Sequence, residues 1–271
     1  MDQDRGVNME QLKELDVVLR DYIKPITSPI AVKLLPKGGA VPPKFKRPSE
    51  AFGHPLALCQ GFGLARKYGW SMAYQLEDMA CGPSLSFFGF MEVPEWQKEG
   101  ELAYPPYAKT KEIGVLSENA IDKLPFGQIE TILLAPLNRT EFEPDLILIY
   151  ANTAQIARMV QGALYCEGGA IKPSFAGRAA CTSDIITTYK TQAYNLIVPD
   201  GGERMFGMPG DDEMVFATPI GKIGNLMEGI VTTHKSGVAR YPYPHFGLRV
   251  RPEYPEKYEA MVVMAKEGKK S

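Results

Sequence analysis

Four cysteines are the residues of this sequence whose type and setting could do chemistry. Cys81 and Cys166 stand next to glycines, Cys59 falls in a predicted helix over about 55–67, and Cys181 is predicted to open another helix. Thiolates are soft ligands that select zinc, copper(I) or iron–sulfur clusters. Four of them complete a tetrahedral zinc site or a cubane cluster. We therefore predict that the four thiols meet and hold a metal, with a 4Fe–4S cluster as the leading hypothesis.

The spacing of these cysteines limits the kind of metal site that they could form. No C-x-x-C pair occurs, which disfavours zinc ribbons, rubredoxin-like sites and bacterial ferredoxins. A shared site would have to be assembled from loops that are distant in sequence. The alternative is that Cys59 and Cys166 are small core residues, since free cysteine is among the most buried residue types.

Two other kinds of chemistry are open. A helix start and Arg178 would both lower the pKa of the Cys181 thiol, so Cys181 or Cys166 could serve a thiol-dependent enzyme. Glu167, beside Cys166, could then act as a proton donor. Alternatively, glycine loops and aromatic side chains could line a pocket for a small molecule, with the cysteines merely packing around it.

Composition and charge set broad limits on function and location. The chain has 271 residues, a net charge of −2 and a pI near 6.0, so it lacks the basic character of a nucleic-acid binder. Its first residues do not form a signal peptide, and no apolar run approaches the roughly 18 residues of a membrane span. We expect a cytoplasmic protein, in which thiols stay mostly reduced, with no membrane partner.

The elements that must position these residues alternate between strands and helices without the regularity of a single parallel sheet. The clearest helix covers 153–165, where Asn152 and Gln155 have capping-box spacing. Apolar runs of strand length are typical of buried strands and lie at 30–35, 70–74, 87–93, 129–136, 145–150, 194–198 and 214–217. The pattern predicts an α+β (mixed α/β) fold.

The two halves of the chain resemble each other faintly, which suggests the internal duplication of a strand–helix–strand unit within one domain. The two units would cover 26–93 and 143–217, followed by a C-terminal extension over 218–271. In this alignment Cys59 and Cys181 occupy equivalent positions about a pseudo-twofold axis. The site would then lie between the halves. Exposed strand edges and the aromatic segment 239–250 could also support a homodimer.

Several short motifs, in their order along the chain, resemble one family. They are Ser28-Pro-Ile-Ala-Val-Lys-Leu, Cys59 with Ala65-Arg66 and Gly69, Glu77 with Cys81-Gly82, Pro144-Asp145, Ala154-Gln155 and Ala180-Cys181. Together they resemble domain-of-unknown-function family 169, a group of uncharacterised proteins from archaea and largely anaerobic bacteria. The resemblance covers 25–250 and implies a cytoplasmic prokaryotic protein of anaerobic metabolism, where oxygen-sensitive clusters are practicable. It implies no activity, substrate, redox partner or catalytic residue.

Overall fold

The computed structural model describes residues 9–173, 175–237, 240–243 and 254–268. The strands are β1 (Ile30–Leu35), β2 (Met72–Tyr74), β3 (Thr131–Pro136), β4 (Leu146–Asn152), β5 (Asn195–Ile197) and β6 (Glu213–Pro219). The helices are α1 (Met9–Val18), α2 (Pro48–Phe52), α3 (Leu58–Tyr68), α4 (Gly82–Phe87), α5 (Glu95–Lys98), α6 (Lys111–Asn119), α7 (Thr153–Glu167), α8 (Ala180–Thr182), α9 (Thr188–Thr191), α10 (Gly201–Phe206), α11 (Ile223–Lys235) and α12 (Glu256–Glu267). A π-helical turn, Ser183–Thr187, joins α8 to α9 into one helical segment, 180–191. None of the described helices is long and apolar enough to cross a membrane.

One six-stranded antiparallel sheet organises the molecule, with the strand order β2-β3-β1-β4-β6-β5. Its central strands are mostly apolar because both faces of the sheet are covered, and Lys33 of β1 pairs with Asp145 (2.8 Å). One face packs against α3, α4 and the segment 180–191. The other packs against α1, α7 and α11. The fold is therefore α+β, as the sequence predicts.

The strand order has an internal symmetry. In each half the first strand lies at the centre of the sheet, the third lies next to it, and the second lies at the edge. The central strands β1 and β4 pair antiparallel, with Ala31 opposite Ile147. A twofold axis perpendicular to the sheet, between β1 and β4, therefore exchanges β1 with β4, β2 with β5 and β3 with β6. Such an axis keeps equivalent helices on the same face of the sheet.

The predicted repeat bounds, 26–93 and 143–217, stay a prediction, but the strand pairing adds detail to them. The first unit as predicted stops before β3, which is the counterpart of β6 in the sheet. The strand predicted over 87–93 is wrong, because Phe87 ends α4 and a turn follows. Pro83 suits the first turn of that helix. Most of the aromatic segment 239–250 lies outside the described residues.

Candidate functional site

A cavity of about 340 Å³ lies on the face of the sheet that α3, α4 and the segment 180–191 cover. Cys59, Cys81 and Cys181 all line it. We call it the thiol cavity. Its other lining residues are Ala57, Gln60, Ala80, Pro83, Ser84, Phe87, Leu102, Tyr107, Arg178, Ala179, Thr182, Asp200, Gly202, Glu203 and Phe206. Three of the four cysteines are thus brought together from three separate segments of the chain.

Local sequence fixes where each of these cysteines stands. Cys59 is the second residue of α3, whose start is closed by a hydrogen bond from the Ala57 backbone N–H to Gln60 Oε1 (2.8 Å). Cys181 is likewise the second residue of α8. Cys81 directly precedes α4, whose second residue is proline. All three thiols therefore belong to helix starts that point toward the same space.

The lining of the thiol cavity follows the pseudo-twofold axis of the sheet. Seven pairs of lining residues stand at equivalent positions in the two halves: Ala57 and Ala179, Cys59 and Cys181, Gln60 and Thr182, Cys81 and Asp200, Pro83 and Gly202, Ser84 and Glu203, Phe87 and Phe206. One constant offset in residue number relates the first three pairs, and another relates the last four. The halves meet directly, since Ser84 Oγ lies 4.0 Å from Cys181 Sγ. The cavity is therefore built by both halves.

The cavity favours the protonated form of two of its thiols, Cys59 and Cys181. Burial, followed by electrostatic interactions with Glu203, Cys81 and Asp200, raises the pKa of Cys59 to about 12. Burial and the neighbouring Cys59 raise the pKa of Cys181 well above its usual value. The predicted lowering of the Cys181 pKa is wrong because burial of the thiol outweighs the effect of the helix start. The Arg178 guanidinium, which the sequence predicts to lower this pKa, is already paired with Glu118.

Two buried carboxyl groups stand beside the thiols, and sequence reasoning missed both. Glu203 lines the cavity, and Tyr150 donates its hydroxyl hydrogen to Glu203 Oε1. Burial raises the pKa of Glu203 to about 7 and that of Asp184 well above its usual range. The charge of Glu203 adds to burial in disfavouring the ionised form of Asp184. The capping-box spacing of Asp200 and Glu203 is the sequence signal that could have drawn attention to Glu203.

Cys166 and Glu167 lie apart from this site. They end α7, which packs on the opposite face of the sheet. The Cys166 thiol is exposed and approaches the carbonyl oxygen of Asn225 at 3.8 Å. Glu167 pairs instead with Lys222 (2.7 Å). Neither residue lines the thiol cavity, whereas Arg178 does.

The thiols and carboxyl groups line a cavity and are not grouped around a single point. Across the part of the chain that the structure describes, no three His, Cys, Asp or Glu side chains are grouped so as to hold a metal ion. The three thiols, Asp200 and Glu203 instead share the wall of one cavity, closed on another side by Tyr107 and Arg178. The Arg178 guanidinium lies 5.8 Å from the centre of the Tyr107 ring. A group that enters this cavity would meet soft ligands, carboxyl groups and aromatic surface together.

The rate at which each thiol is alkylated should follow its exposure and its pKa. In the metal-free, reduced protein we expect iodoacetamide to alkylate exposed Cys166 first and Cys59 last. With a pKa of about 12, only about one Cys59 in ten thousand is a thiolate at pH 8. Peptide mass spectrometry over a labelling time course measures the four rates. The same series in urea is the control, where the rates should converge. Fastest labelling at Cys181 would contradict a protonated, buried Cys181 thiol.

Comparison with known proteins gives a family without an assigned activity. The family model DUF169, described as "Uncharacterised ArCR", matches residues 18–229. The chain is also similar to the uncharacterized protein MJ0308 of Methanocaldococcus jannaschii, with 26% identity over 227 residues, which cover 82% of this chain and 92% of that protein. No solved structure matches the chain significantly.

Proposed function

The chain belongs to the DUF169 family, and we propose that its thiol cavity binds an iron–sulfur cluster through Cys59, Cys81 and Cys181. The observation that carries this proposal is the convergence of three thiols from three separate segments on one cavity. Thiolates are the protein ligands on which iron–sulfur clusters depend. The sequence predicts four cysteine ligands, whereas the proposed site has three, since Cys166 lies on the other face of the sheet.

The size of the cavity supports a cluster over a single ion. A volume of about 340 Å³ is near the lower end of the range of roughly 300–1,000 Å³ typical of small-ligand sites. It therefore accommodates a group of several heavy atoms. The three thiols could hold such a group without meeting at a single point.

The electrostatics of the cavity also support a cationic occupant. Glu203 disfavours the ionised form of both Cys59 and Cys181, and Cys59 disfavours that of Cys181. Iron ions would relieve this repulsion and displace the thiol protons, because metal binding requires deprotonated thiolate ligands. Proton release on metal loading would follow from the same geometry.

The proposed role is redox chemistry or electron transfer in the cytoplasm, as an oxidoreductase or the electron carrier of one. A cluster with fewer than four thiolates has one iron that can differ from the others, and aromatic and charged groups line the space around it. Such a site suits either the exchange of electrons with a redox partner or a small reductive step.

The proposal is tested by iron and acid-labile sulfide assays on protein purified and reconstituted without oxygen. We expect about four iron and four sulfide per chain, with the brown colour of a cluster. Apoprotein dialysed against a chelator is the control and should be colourless. A wild-type protein without iron and sulfide after reconstitution would exclude the proposal.

A second candidate is the binding of a small organic molecule, which the apolar lining favours. Phe87, Phe206 and Tyr107 give the cavity aromatic walls, and concave, mostly apolar cavities of this size are typical of small-molecule sites. In this case Cys→Ser variants would retain the ligand, and native mass spectrometry would show an organic adduct without iron. The thiol-enzyme alternative has less support, because the pKa values of Cys181 and Cys166 are raised.

A further inference from the structure

We infer that Asp200 is the fourth ligand of the cluster, at the position that Cys81 holds in the other half of the molecule. The inference rests on the proposed function and adds a ligand of different chemistry to it. Asp200 lines the thiol cavity together with the three cysteines. Asp200 directly precedes α10, just as Cys81 directly precedes α4. Cys59 and Cys181 form one pair about the axis, and Cys81 and Asp200 form the other.

The helices that follow Cys81 and Asp200 also support the equivalence of these two residues. Both short helices that follow them have six residues and begin with glycine. The lining residues Pro83, Ser84 and Phe87 of the first helix correspond, at the same offset, to Gly202, Glu203 and Phe206 of the second. The position of a ligand in one half therefore predicts the position of a ligand in the other.

The carboxylate of Asp200 is held in place by the backbone. Its Oδ1 accepts a hydrogen bond from the Glu203 N–H (2.8 Å), and its Oδ2 accepts one from the Ala180 N–H (2.9 Å). These bonds fix the orientation of the carboxylate between α10 and α8. Each carboxylate oxygen has two lone pairs, so each oxygen retains one for a metal.

Glu203 is the other acidic residue of the thiol cavity that could be considered as the fourth ligand. It lies in the same cavity, but its counterpart in the other half is Ser84, not a cysteine. Its Oε1 already accepts the Tyr150 hydroxyl hydrogen, and its carboxyl group interacts with that of Asp184. Asp200 is therefore the acidic residue that the symmetry assigns to the cluster.

An oxygen ligand would make one iron of the cluster distinct. Carboxylate is a harder ligand than thiolate and matches iron–sulfur chemistry less well, so this iron should be lost first on oxidation. With ferricyanide as the oxidant, a [4Fe–4S]²⁺ cluster gives up one electron and releases one Fe²⁺, leaving [3Fe–4S]⁺. Ferricyanide is reduced to ferrocyanide by that electron.

The inference is tested by exchanging the residue types at the two equivalent positions, 81 and 200. We expect Cys81→Asp alone to reduce the iron bound after anaerobic reconstitution to less than about half of the wild-type amount. The double variant Cys81→Asp with Asp200→Cys should restore it, because one carboxylate and three thiolates again face the cavity. Circular dichroism of both apoproteins checks that they fold. A double variant that binds no more iron than Cys81→Asp would overturn the inference.

A second comparison keeps the inference testable if Cys81→Asp does not fold. Asp200→Cys alone should suppress ferricyanide-induced release of Fe²⁺, measured with ferrozine, and the electron paramagnetic resonance signal of the three-iron cluster. Asp200→Asn retains a side chain suited to precede a helix but loses the anionic ligand, so it should release iron faster than the wild type. Equal release by the three proteins would overturn the assignment of Asp200. Cluster binding that requires the three cysteines would still stand, whereas a wild type without iron would refute the proposed function itself.

Discussion

Replacing Cys59, Cys81 or Cys181 with serine should each remove most of the iron and sulfide that the reconstituted protein binds. Serine has nearly the size of cysteine, so the cavity wall stays filled, but its hydroxyl is a poor ligand for a cluster that selects thiolates. We expect a loss of at least about tenfold in bound iron for each variant, on the scale of affinity changes at metal sites. Iron analysis and visible absorption after the same reconstitution measure it.

The matched control is Cys166→Ser, which removes a thiol from the same chain on the opposite face of the sheet. Cys166 is exposed and does not line the thiol cavity. This variant should therefore retain the wild-type iron content and absorption spectrum. Loss of the cluster in Cys166→Ser, or its full retention in the three cavity variants, would contradict the proposed ligand set.

Replacing Arg66 with alanine should have the largest effect on stability. Its side chain is fully buried in α3, the helix that carries Cys59, and its Nη1 pairs with Glu213 at 3.0 Å. Its Nη2 donates to the carbonyl oxygen of Met208 (2.6 Å), and the guanidinium lies 4.2 Å from the centre of the Tyr150 ring. Removing it leaves the Glu213 carboxylate buried without its cation, which costs about 3–5 kcal/mol of unfolding free energy.

Urea unfolding followed by circular dichroism measures this loss, with Lys44→Ala as the control. Lys44 forms an ion pair with Glu141 at 2.8 Å, but the two side chains are 78% and 63% exposed. That variant should change the unfolding free energy by less than about 1 kcal/mol. The double variant Arg66→Ala with Glu213→Ala should be less destabilised than the sum of the single variants. Similar losses for Arg66→Ala and Lys44→Ala would contradict the importance of the buried pair.

The α+β fold could be predicted from the sequence because it rests on local signals, and the predicted relation between Cys59 and Cys181 rests on the same kind of signal. Continuous apolar runs mark buried strands, and these runs became β1, β3 and β4. Each of the two cysteines precedes a strand at a similar distance, and each opens a helix. Strand pairing then sets these helices on one face of the sheet.

The equivalence of Cys81 and Asp200 could not be predicted in the same way. A 3₁₀ turn, Leu76–Asp78, lengthens the connection in the first half, and the second half has no counterpart to it between β5 and α10. The insertion moves Cys81 out of register with Asp200 in a direct alignment. The residue types also differ, so neither spacing nor identity reveals the pair. It becomes visible only when both residues are seen to precede equivalent helices.

The separation of Cys166 from the other thiols depends on tertiary packing. Its neighbouring glycines resemble those of Cys81, but α7 buries Ile156 and Met159 against the other face of the sheet. The helix periodicity predicted that apolar stripe but not the face on which it packs. The raised pKa of Cys181 has a similar origin, because its main cause is burial of the thiol, which depends on tertiary packing.

The most direct test of the account is the position of iron in crystals of the anaerobically reconstituted protein, measured by anomalous diffraction at the iron absorption edge. We expect a strong anomalous peak inside the thiol cavity, between Cys59 and Cys181 and beside Cys81. We also expect the Asp200 carboxylate to contact the iron nearest to it. An anomalous peak elsewhere, or an iron-free cavity in protein that binds iron in solution, would contradict the account.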